Sequence, residues 1–429
     1  MTVGWVAIAD IRGVQGFIFE TDRLAQMRGA SYLLDALTTP VERITNDCDG
    51  TLVVKKGGRF EATFENRLRA DRWKGLVLTA FRSATGLDSS RISFGSGPDA
   101  EQANRSLSDA KRETAPPAFV THSLLSPCAW CGVRAAVAVD GDDLICQVCR
   151  ARANGSTKAM TGLWDELSLE GRPTADLGGF AAGSKPRGRI ALIVADGNDI
   201  GALMREATDK RAMSDRLSAA TTVAVRRAAG CAGAGGLLPL WVGGDDAVLA
   251  VHAHRGLDAA VAFVREFQAE MARAGAEDPS PVTMSAAVVI VRASHPFLES
   301  HALAHELLDN VKAAVRSKAW AAGVGGLDVE VVNESVTGTL ERRRSGSGHR
   351  PLAATTPPRD WGIDDAREHA RRLIERRAPR SRVYQLRDDG PLPTFADPDV
   401  EQVVTAARKM RRLDTLRVLF ELERDGGGQ

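Results

Sequence analysis

Short apolar runs and longer 3.6-residue periodicities alternate along this chain. Trp5-Val6-Ala7-Ile8-Ala9 predicts a buried strand. Phe17, Leu24, Met27, Tyr32, Leu33, Leu34 and Leu37 recur at helical spacing and predict one helix over 17–37. Thr51 to Phe64 predicts two strands around Gly57-Gly58. A polar helix is expected at 65–73, a strand at 76–81 and a surface helix at 99–113, with Pro116-Pro117 closing the region. From 189 to 336 the pattern predicts a strand (189–195), a long helix (200–229), a hairpin (238–251), a helix (257–274), a strand (282–291), a helix (297–319) and a strand (327–332). Glu341 to Arg350 has the composition of a basic linker, and helical patterns follow at 361–376 and 399–422. Four regions separate on this basis: 1–115, 116–180, 185–336 and 350–429. Strands interleaved with helices imply an α/β (α+β) layer architecture, with a small α-helical domain at the end.

Two of these regions share an order of elements. Each has a strand, then a helix, then a hairpin with Gly-Gly at its tip. The hairpins are Val53-Val-Lys-Lys-Gly57-Gly58-Arg59-Phe60 and Leu240-Trp-Val-Gly243-Gly244-Asp245-Asp246. The strand-to-helix turns are Ala9-Asp10-Ile-Arg-Gly13 and Ala195-Asp196-Gly-Asn-Asp-Ile-Gly201. One fold unit is therefore expected twice, and only the second copy keeps acids at the hairpin tip.

A length of 429 residues requires several domains. The charge, 56 Lys+Arg against 55 Asp+Glu, excludes a binder dominated by a basic tail but not a local basic groove. No apolar run reaches the ~18–20 residues of a membrane helix, and the N-terminus lacks signal-peptide features, so a cytoplasmic protein without membrane contact is expected.

The chemistry concentrates at Gly243-Gly244-Asp245-Asp246. Adjacent carboxylates at a turn between apolar strands repel each other unless a cation neutralises them, and hard oxygen ligands suit Mg²⁺ or Mn²⁺. Alone, such a tetrapeptide is an ordinary polar turn. Asp196 ends another strand, and in a ferredoxin-like sheet that strand neighbours the hairpin. Asp196 and Asp245 then converge, and two cations ~3.5–4 Å apart could serve a phosphoryl-type transfer.

Cys128-Ala-Trp-Cys131 and Cys146-Gln-Val-Cys149 have the spacing of a closed four-thiolate zinc site, expected to be structural rather than catalytic. The pairs are not expected to open helices in a thioredoxin-like βαβ unit, so a redox role is not expected. Arg134, Arg150 and Arg152 nearby are expected to form a solvated basic rim. Cys48 and Cys231 have no partner pattern. His301 and His305 lie one helical turn apart but lack the metalloprotease glutamate, and Gly230 to Gly236 lacks the Lys-Ser/Thr of a phosphate loop. The basic runs Arg342–Arg344 and Lys409–Arg412 default to solvated charge.

The Gly-Gly-Asp-Asp hairpin, the turn at 195–201 and Ser285-Ala-Ala-Val-Val-Ile290 resemble the second palm domain of the large polymerase-like subunit of type III CRISPR effector complexes. Asp10-Ile-Arg-Gly-Val-Gln-Gly-Phe-Ile-Phe19 and Arg28-Gly-Ala-Ser-Tyr-Leu-Leu34 resemble that family's first palm. The resemblance implies two ferredoxin-like palm domains of the nucleotidyl-cyclase type. The first (1–115) is degenerate, a zinc ribbon (116–180) is inserted, the second palm (185–336) is catalytic, and a helical domain (350–429) follows. It implies an enzyme, a nucleotidyltransferase that holds two ATP molecules and makes cyclic oligoadenylates with two Mg²⁺ or Mn²⁺ ions in antiviral defence. Asp196 and Asp245 would hold metal with Asp246 assisting, Gly243 and Gly244 would admit the triphosphate, and Lys312 would bind it. Lys312 reads equally well as an exposed helix cation. Gly57 and Gly58 would belong to a nucleotide-binding but unreactive palm, with Arg59 and Phe60 at the places of the acids. Asn198 stands where an acid is commoner, leaving the second ligand open. Guide or target RNA and other type III subunits are the implied partners. No His-Asp pair occurs in the chain, so no DNase activity is expected. A non-catalytic RNA-binding scaffold is the alternative. A diguanylate-type cyclase comes third, because the Glu-Phe that follows Gly-Gly-Asp in that family is missing.

Overall fold

The computed structural model describes residues 4–21, 23–56, 58–87, 89–113, 125–170, 174, 176–274, 282–317, 323–332, 351–354, 363–386, 392–409 and 413–426. Gly57, Pro116-Pro117, the 341–350 linker and most of Lys409–Arg412 lie outside them. The chain forms two compact units, 1–166 with 202–215, and 167–201 with 216–429.

In the first unit the elements are β1 (Trp5–Ile11), α1 (Val14–Ile18), α2 (Leu24–Ala36), α3 (Thr38–Asp47), β2 (Thr51–Lys56), β3 (Arg59–Phe64), α4 (Arg67–Thr85), β4 (Ile92–Gly97), α5 (Ala100–Glu113), β5 (Ala138–Asp140), β6 (Asp143–Ile145) and α6 (Gln147–Glu166). The sheet order is β2-β3-β1-β4, antiparallel throughout, which is the ferredoxin-like order. The expected helix over 17–37 is two helices, because the chain turns at Glu20 to reach Arg134 and Arg152. The expected strand at 76–81 is the second half of α4. Ala70, Trp73, Val77, Phe81 and Thr85 are buried at helical spacing while Leu76 is exposed, so the apolar run there is one helix turn rather than a strand. Asn66 caps α4 by accepting from the Arg69 N–H, and Gly86 ends it at φ +70°. The fourth strand is Ile92-Ser-Phe-Gly-Ser-Gly97. It packs closely on α5, since a Cβ on Gly95 would lie 2.2 Å from the Ala103 carbonyl oxygen.

The second unit begins with α7 (Leu177–Ala181) and β7 (Arg189–Gly197). The expected helix over 200–229 is α8 (Ile200–Glu206) and α9 (Lys210–Ala232), of which residues 202–215 belong to the first unit, and it divides because Asp209 starts a new helix by accepting from the Ala212 N–H. There follow β8 (Leu237–Val242), β9 (Asp246–His252), α10 (Gly256–Ala274), β10 (Met284–Arg292), α11 (Phe297–Arg316), β11 (Gly326–Val331), β12 (Leu352–Ala353), α12 (Ile363–Glu375), α13 (Arg380–Val383), α14 (Pro398–Lys409) and α15 (Leu413–Gly426). The sheet order is β12-β11-β10-β7-β9-β8, with only β10 and β11 parallel. Its β8-β9-β7-β10 portion repeats the order of the first unit, so the internal repeat is real at the level of topology. Ile190–Ala195 and Met284–Val291 are buried at every position, because α10 and α11 pack on β7 and β10. The C-terminal helices are pinned to this core where Arg367 bridges Asp258 at 2.7 Å and Glu423 at 2.5 Å. Among the described residues no helix is long and apolar enough to cross a membrane.

Candidate active site and metal centre

The central strand β7 pairs with β9 so that Asp196 stands directly opposite Asp246. Asp245 is beside them, and its carbonyl accepts from the Gly197 N–H at 2.9 Å. Opposite residues share a face, so Asp196 and Asp246 meet at one corner of the sheet, and Asp245, in the turn before β9, lies within reach of both charges. Burial, Asp246 and Asp196 push the Asp245 carboxyl up to about 7, against the opposing effect of Lys312.

Lys312 comes from α11, which packs on β7. Its ammonium donates to Asp196 Oδ2 at 2.5 Å and to the Gly197 carbonyl at 3.2 Å. The side chain is one-fifth exposed, so the exposed-cation reading is corrected: Lys312 is part of the acidic corner. The oxygens it touches, a carboxylate and a backbone carbonyl, are the donor types hard divalent cations take.

Gly243 and Gly244 lie in the turn between β8 and β9. Neither Gly243 nor Gly244 has a left-handed backbone. A Cβ at Gly243 would lie 1.9 Å from Asp246 Oδ1, so that glycine makes room for the carboxylate. The Gly244 carbonyl accepts from Thr221 of α9 at 2.8 Å. Asn198 is held by residues at the start of β10, beside Asp196, since Ser285 stands opposite Asp196. Its amide donates to Thr283 Oγ1, and its Oδ1 accepts from Ser285, both at 2.8 Å. Asp199 holds a left-handed φ of 56°, which lets Asn198 turn toward β10. Sequence reasoning missed Thr221 and Trp241, whose indole N–H donates to Asp246 Oδ1 at 3.0 Å.

The N-terminal sheet carries the same corner with a different balance of charge. The Ile11 N–H donates to the Gly58 carbonyl at 2.9 Å, as Gly197 does to Asp245, and Asp10 stands opposite Arg59. Gly58 and Arg59 therefore take the acids' places, one residue earlier than the expected Arg59 and Phe60. Phe60 is buried opposite Ala9. Lys111, from the helix after β4, reaches Asp10 at 2.8 Å, as Lys312 from the helix after β10 reaches Asp196.

The ligand atoms of Cys128, Cys131, Cys146 and Cys149 lie within 4.8 Å of one another. Gly132, at φ +66°, turns the first knuckle, and its N–H donates to the Cys128 carbonyl. The second pair opens a helix, with Cys146 before α6 and Cys149 in its first turn, but the strands before it, β5 and β6, form an antiparallel hairpin rather than a thioredoxin-like βαβ unit. Hydrogen bonds from Cys146 and Cys149 hold the Cys131 thiol well below its usual range, and the hydrogen bond with Cys131 pushes Cys146 up in turn. The donor set suits a closed tetrahedral zinc ion. Of the expected basic rim only Arg150 is solvated. Arg134 makes two 2.8 Å bonds to Glu20, and Arg152, fully buried, reaches Glu20 at 2.8 Å and the Phe17 carbonyl at 2.6 Å. The charges are consumed inside the fold. His301 is buried, with its Nε2 3.3 Å from that of His305, in keeping with a core pair.

Residues 189–319 match the model of the Cas10/Cmr2 second palm domain. No curated protein sequence matches the chain. Solved structures similar over nearly the whole chain include the following three. A Csm1–Csm4 cassette in complex with cA4 has a TM-score of 0.57 at 12% identity, covering 99% of this chain and 70% of that one. Csm1 in T. onnurineus has 0.56 at 12% identity, covering 98% and 64%. A Csm1–Csm4 cassette in complex with cA3 has 0.56 at 13% identity, covering 98% and 65%. The chain thus spans less than two thirds of two of these relatives, and only 54% of a further cassette chain. With Asp196, Asp245 and Asp246 at one corner of a β8-β9-β7-β10 sheet, residues 189–319 are a palm domain of the Cas10/Cmr2 family, and the chain that carries them is Cas10-like in fold.

Proposed function

We propose that this chain is a nucleotidyltransferase that joins ATP into cyclic oligoadenylates within a type III CRISPR-like antiviral system. The observation that carries the reading is Asp196 opposite Asp246, with Asp245 alongside and Lys312 reaching in. The similar solved chains include ones in complex with cA4 and cA3, which supports an adenylate product. The functional parts would be a nucleotide-binding first palm (1–115, with Gly57 and Gly58), a zinc segment (116–180), a reacting palm (185–336) and a helical tail (350–429). Other type III subunits and RNA would be its partners.

Asp246, opposite Asp196 in register, takes the direct role expected of Asp245, so Asp196 and Asp246, with the Gly197 carbonyl, would hold Mg²⁺ or Mn²⁺ and Asp245 would assist with its charge. The cation, when bound, favours ionisation of a 3′-hydroxyl and offsets charge on the departing pyrophosphate. Lys312 exchanges its carboxylate partner for the triphosphate as nucleotide enters, and Gly243 keeps the hairpin free of side-chain bulk. The 3′-oxygen attacks the α-phosphorus of the next ATP. A 3′–5′ phosphodiester forms, the α–β phosphoanhydride breaks, and pyrophosphate and a proton leave. The site residues of the first sheet carry Arg59 where the second has Asp246, so its role is binding without bond formation.

The test is to incubate zinc-loaded protein with ATP and Mn²⁺, with and without type III subunits and target RNA, and to identify products by mass spectrometry. The expected result is 3′–5′-linked oligoadenylates that vanish in Asp245→Ala and Asp246→Ala. Tight RNA binding with no ATP turnover would establish the scaffold alternative instead. Turnover of GTP in preference to ATP would establish the diguanylate type.

A further inference from the structure

We infer that Trp241 is a positioning residue for Asp246, placed by a β-bulge in β8. The inference rests on the reading of the acidic corner as a cation site.

Register carries the argument. Leu237, Leu238 and Pro239 pair with Val251, Ala250 and Leu249, but Trp241 and Val242 pair with Val248 and Ala247. One residue, Leu240, is extra on β8. Because side chains alternate faces, this one-residue slip decides which face Trp241 occupies. Unslipped, Trp241 would oppose Ala247 and point away from the acids. Slipped, it opposes Val248, two residues from Asp246 on the same face. Asp246 is in turn opposite Asp196 across β7, and the Gly243 N–H donates to the Asp246 carbonyl at 2.8 Å. Trp241, Asp246 and Asp196 thus share one face. Pro239, which has no N–H to give, is admissible here because β8 is the edge of the sheet.

The slip gives the indole a polar task. Trp241 is only 2% exposed, so its N–H needs a partner, and it has Asp246 Oδ1 at 3.0 Å. Gly243 completes the arrangement. Its missing Cβ would stand 1.9 Å from Asp246 Oδ1 and 3.2 Å from the indole nitrogen. One rigid aromatic donor therefore sets the plane of the carboxylate that faces Asp196. Donors behind a metal-binding carboxylate orient it, and losing one weakens metal affinity by ~10–100-fold.

Trp241→Ala would open a large cavity and could fail to fold, so the decisive variant replaces Trp241 with 3-benzothienylalanine, which keeps the shape and exchanges N–H for sulfur. Free Mn²⁺ is titrated by electron paramagnetic resonance against the zinc-loaded full chain with a non-hydrolysable ATP analogue, alongside Asp246→Asn and thermal unfolding. The expected result is a Mn²⁺ dissociation constant raised ~10-fold, with the thermal midpoint unmoved and the affinity for the analogue at saturating Mn²⁺ unchanged. An unchanged Mn²⁺ constant in the benzothienyl protein overturns the inference while leaving the proposed function in place. A parent chain that binds no Mn²⁺, or an Asp246→Asn chain that binds as the parent does, overturns the reading of the corner itself, and this inference with it.

Discussion

Asp10 and Arg59 face each other across β1 and β3, 3.8 Å apart, at the register point where Asp196 faces Asp246 in the second sheet. One sheet holds the pair as opposite charges and the other as like charges. The first corner is neutralised by Arg59 and Lys111, whereas the second has Lys312 against three carboxylates. Only the second therefore has unbalanced negative charge for a divalent cation to neutralise.

Burial of Asp245, together with that imbalance, sets a pH dependence. The Asp245 carboxyl sits at about 7 in the folded chain, against ~3.9 for an unfolded aspartate. Its folded value is raised, so its contribution to stability is fully present below ~4, is lost as pH climbs through about 7, and is flat above that. In buffer freed of Mg²⁺ and Mn²⁺ but with zinc retained, the urea midpoint of the parent should fall across this window. Asp245→Asn should flatten the slope, and Mg²⁺ should restore stability at the alkaline end. A slope identical in parent and variant would contradict the assignment.

Lys312 bonds the Asp196 carboxylate and the Gly197 carbonyl from the far end of α11. Lys312→Met should raise the KM for ATP about tenfold, the size expected of one charge-assisted hydrogen bond. The fall in kcat should be smaller. Steady-state kinetics separates the two, and an unaltered KM would remove Lys312 from triphosphate binding.

The four cysteines should hold one zinc ion per chain, released by a mercurial reagent and counted with a colorimetric chelator. Cys128→Ser should lower that count. Because thiolate ligation and folding are coupled, it should also open the 125–150 segment to trypsin. A parent chain free of zinc yet resistant there would show that the segment folds by packing alone.

Arg152 is fully buried, shares Glu20 with Arg134, and lies 4.3 Å over the ring of Phe17. Arg152→Met should cost about 3 kcal/mol, since it leaves a buried carboxylate short of a partner. Lysine should not rescue it, because a single ammonium cannot match the planar fork. Denaturant unfolding measures both. A loss comparable to that of exposed Arg150→Met would sink the claim.

The cysteines and the Asp245-Asp246 pair were legible because each is a short string, and Asp196 because it ends a strand that a ferredoxin-like order places beside the hairpin. Lys312 was half legible: its type and helix were visible, but not the packing of α11 on β7 that aims it. The pairing of Arg59 with Asp10 was not legible, since aligning two Gly-Gly strings cannot reveal a one-residue difference in register. Trp241 was hidden for the same reason, as nothing in Leu238-Pro-Leu-Trp announces which residue is extra. β4 escaped because Gly95 and Gly97 dilute its pattern while serving contact with α5. The run at 76–81 misled because a few apolar residues fit strand and helix alike, and the buried Trp73 three residues upstream decides between them.

The sheet of the second unit ends on one side at β8, with Pro239 and a bulge, and on the other at β12, where Leu352 and Ala353 lie against Leu327 and Gly326. A sheet border that is straight, apolar and unpaired recruits foreign strands. Here one border is kinked and short of a donor, and the other is blunted by a two-residue patch drawn from late in the chain. Removing that patch, as a truncation before 351 would, strips the guard from β11 and should turn a well-behaved preparation into one that self-associates with time.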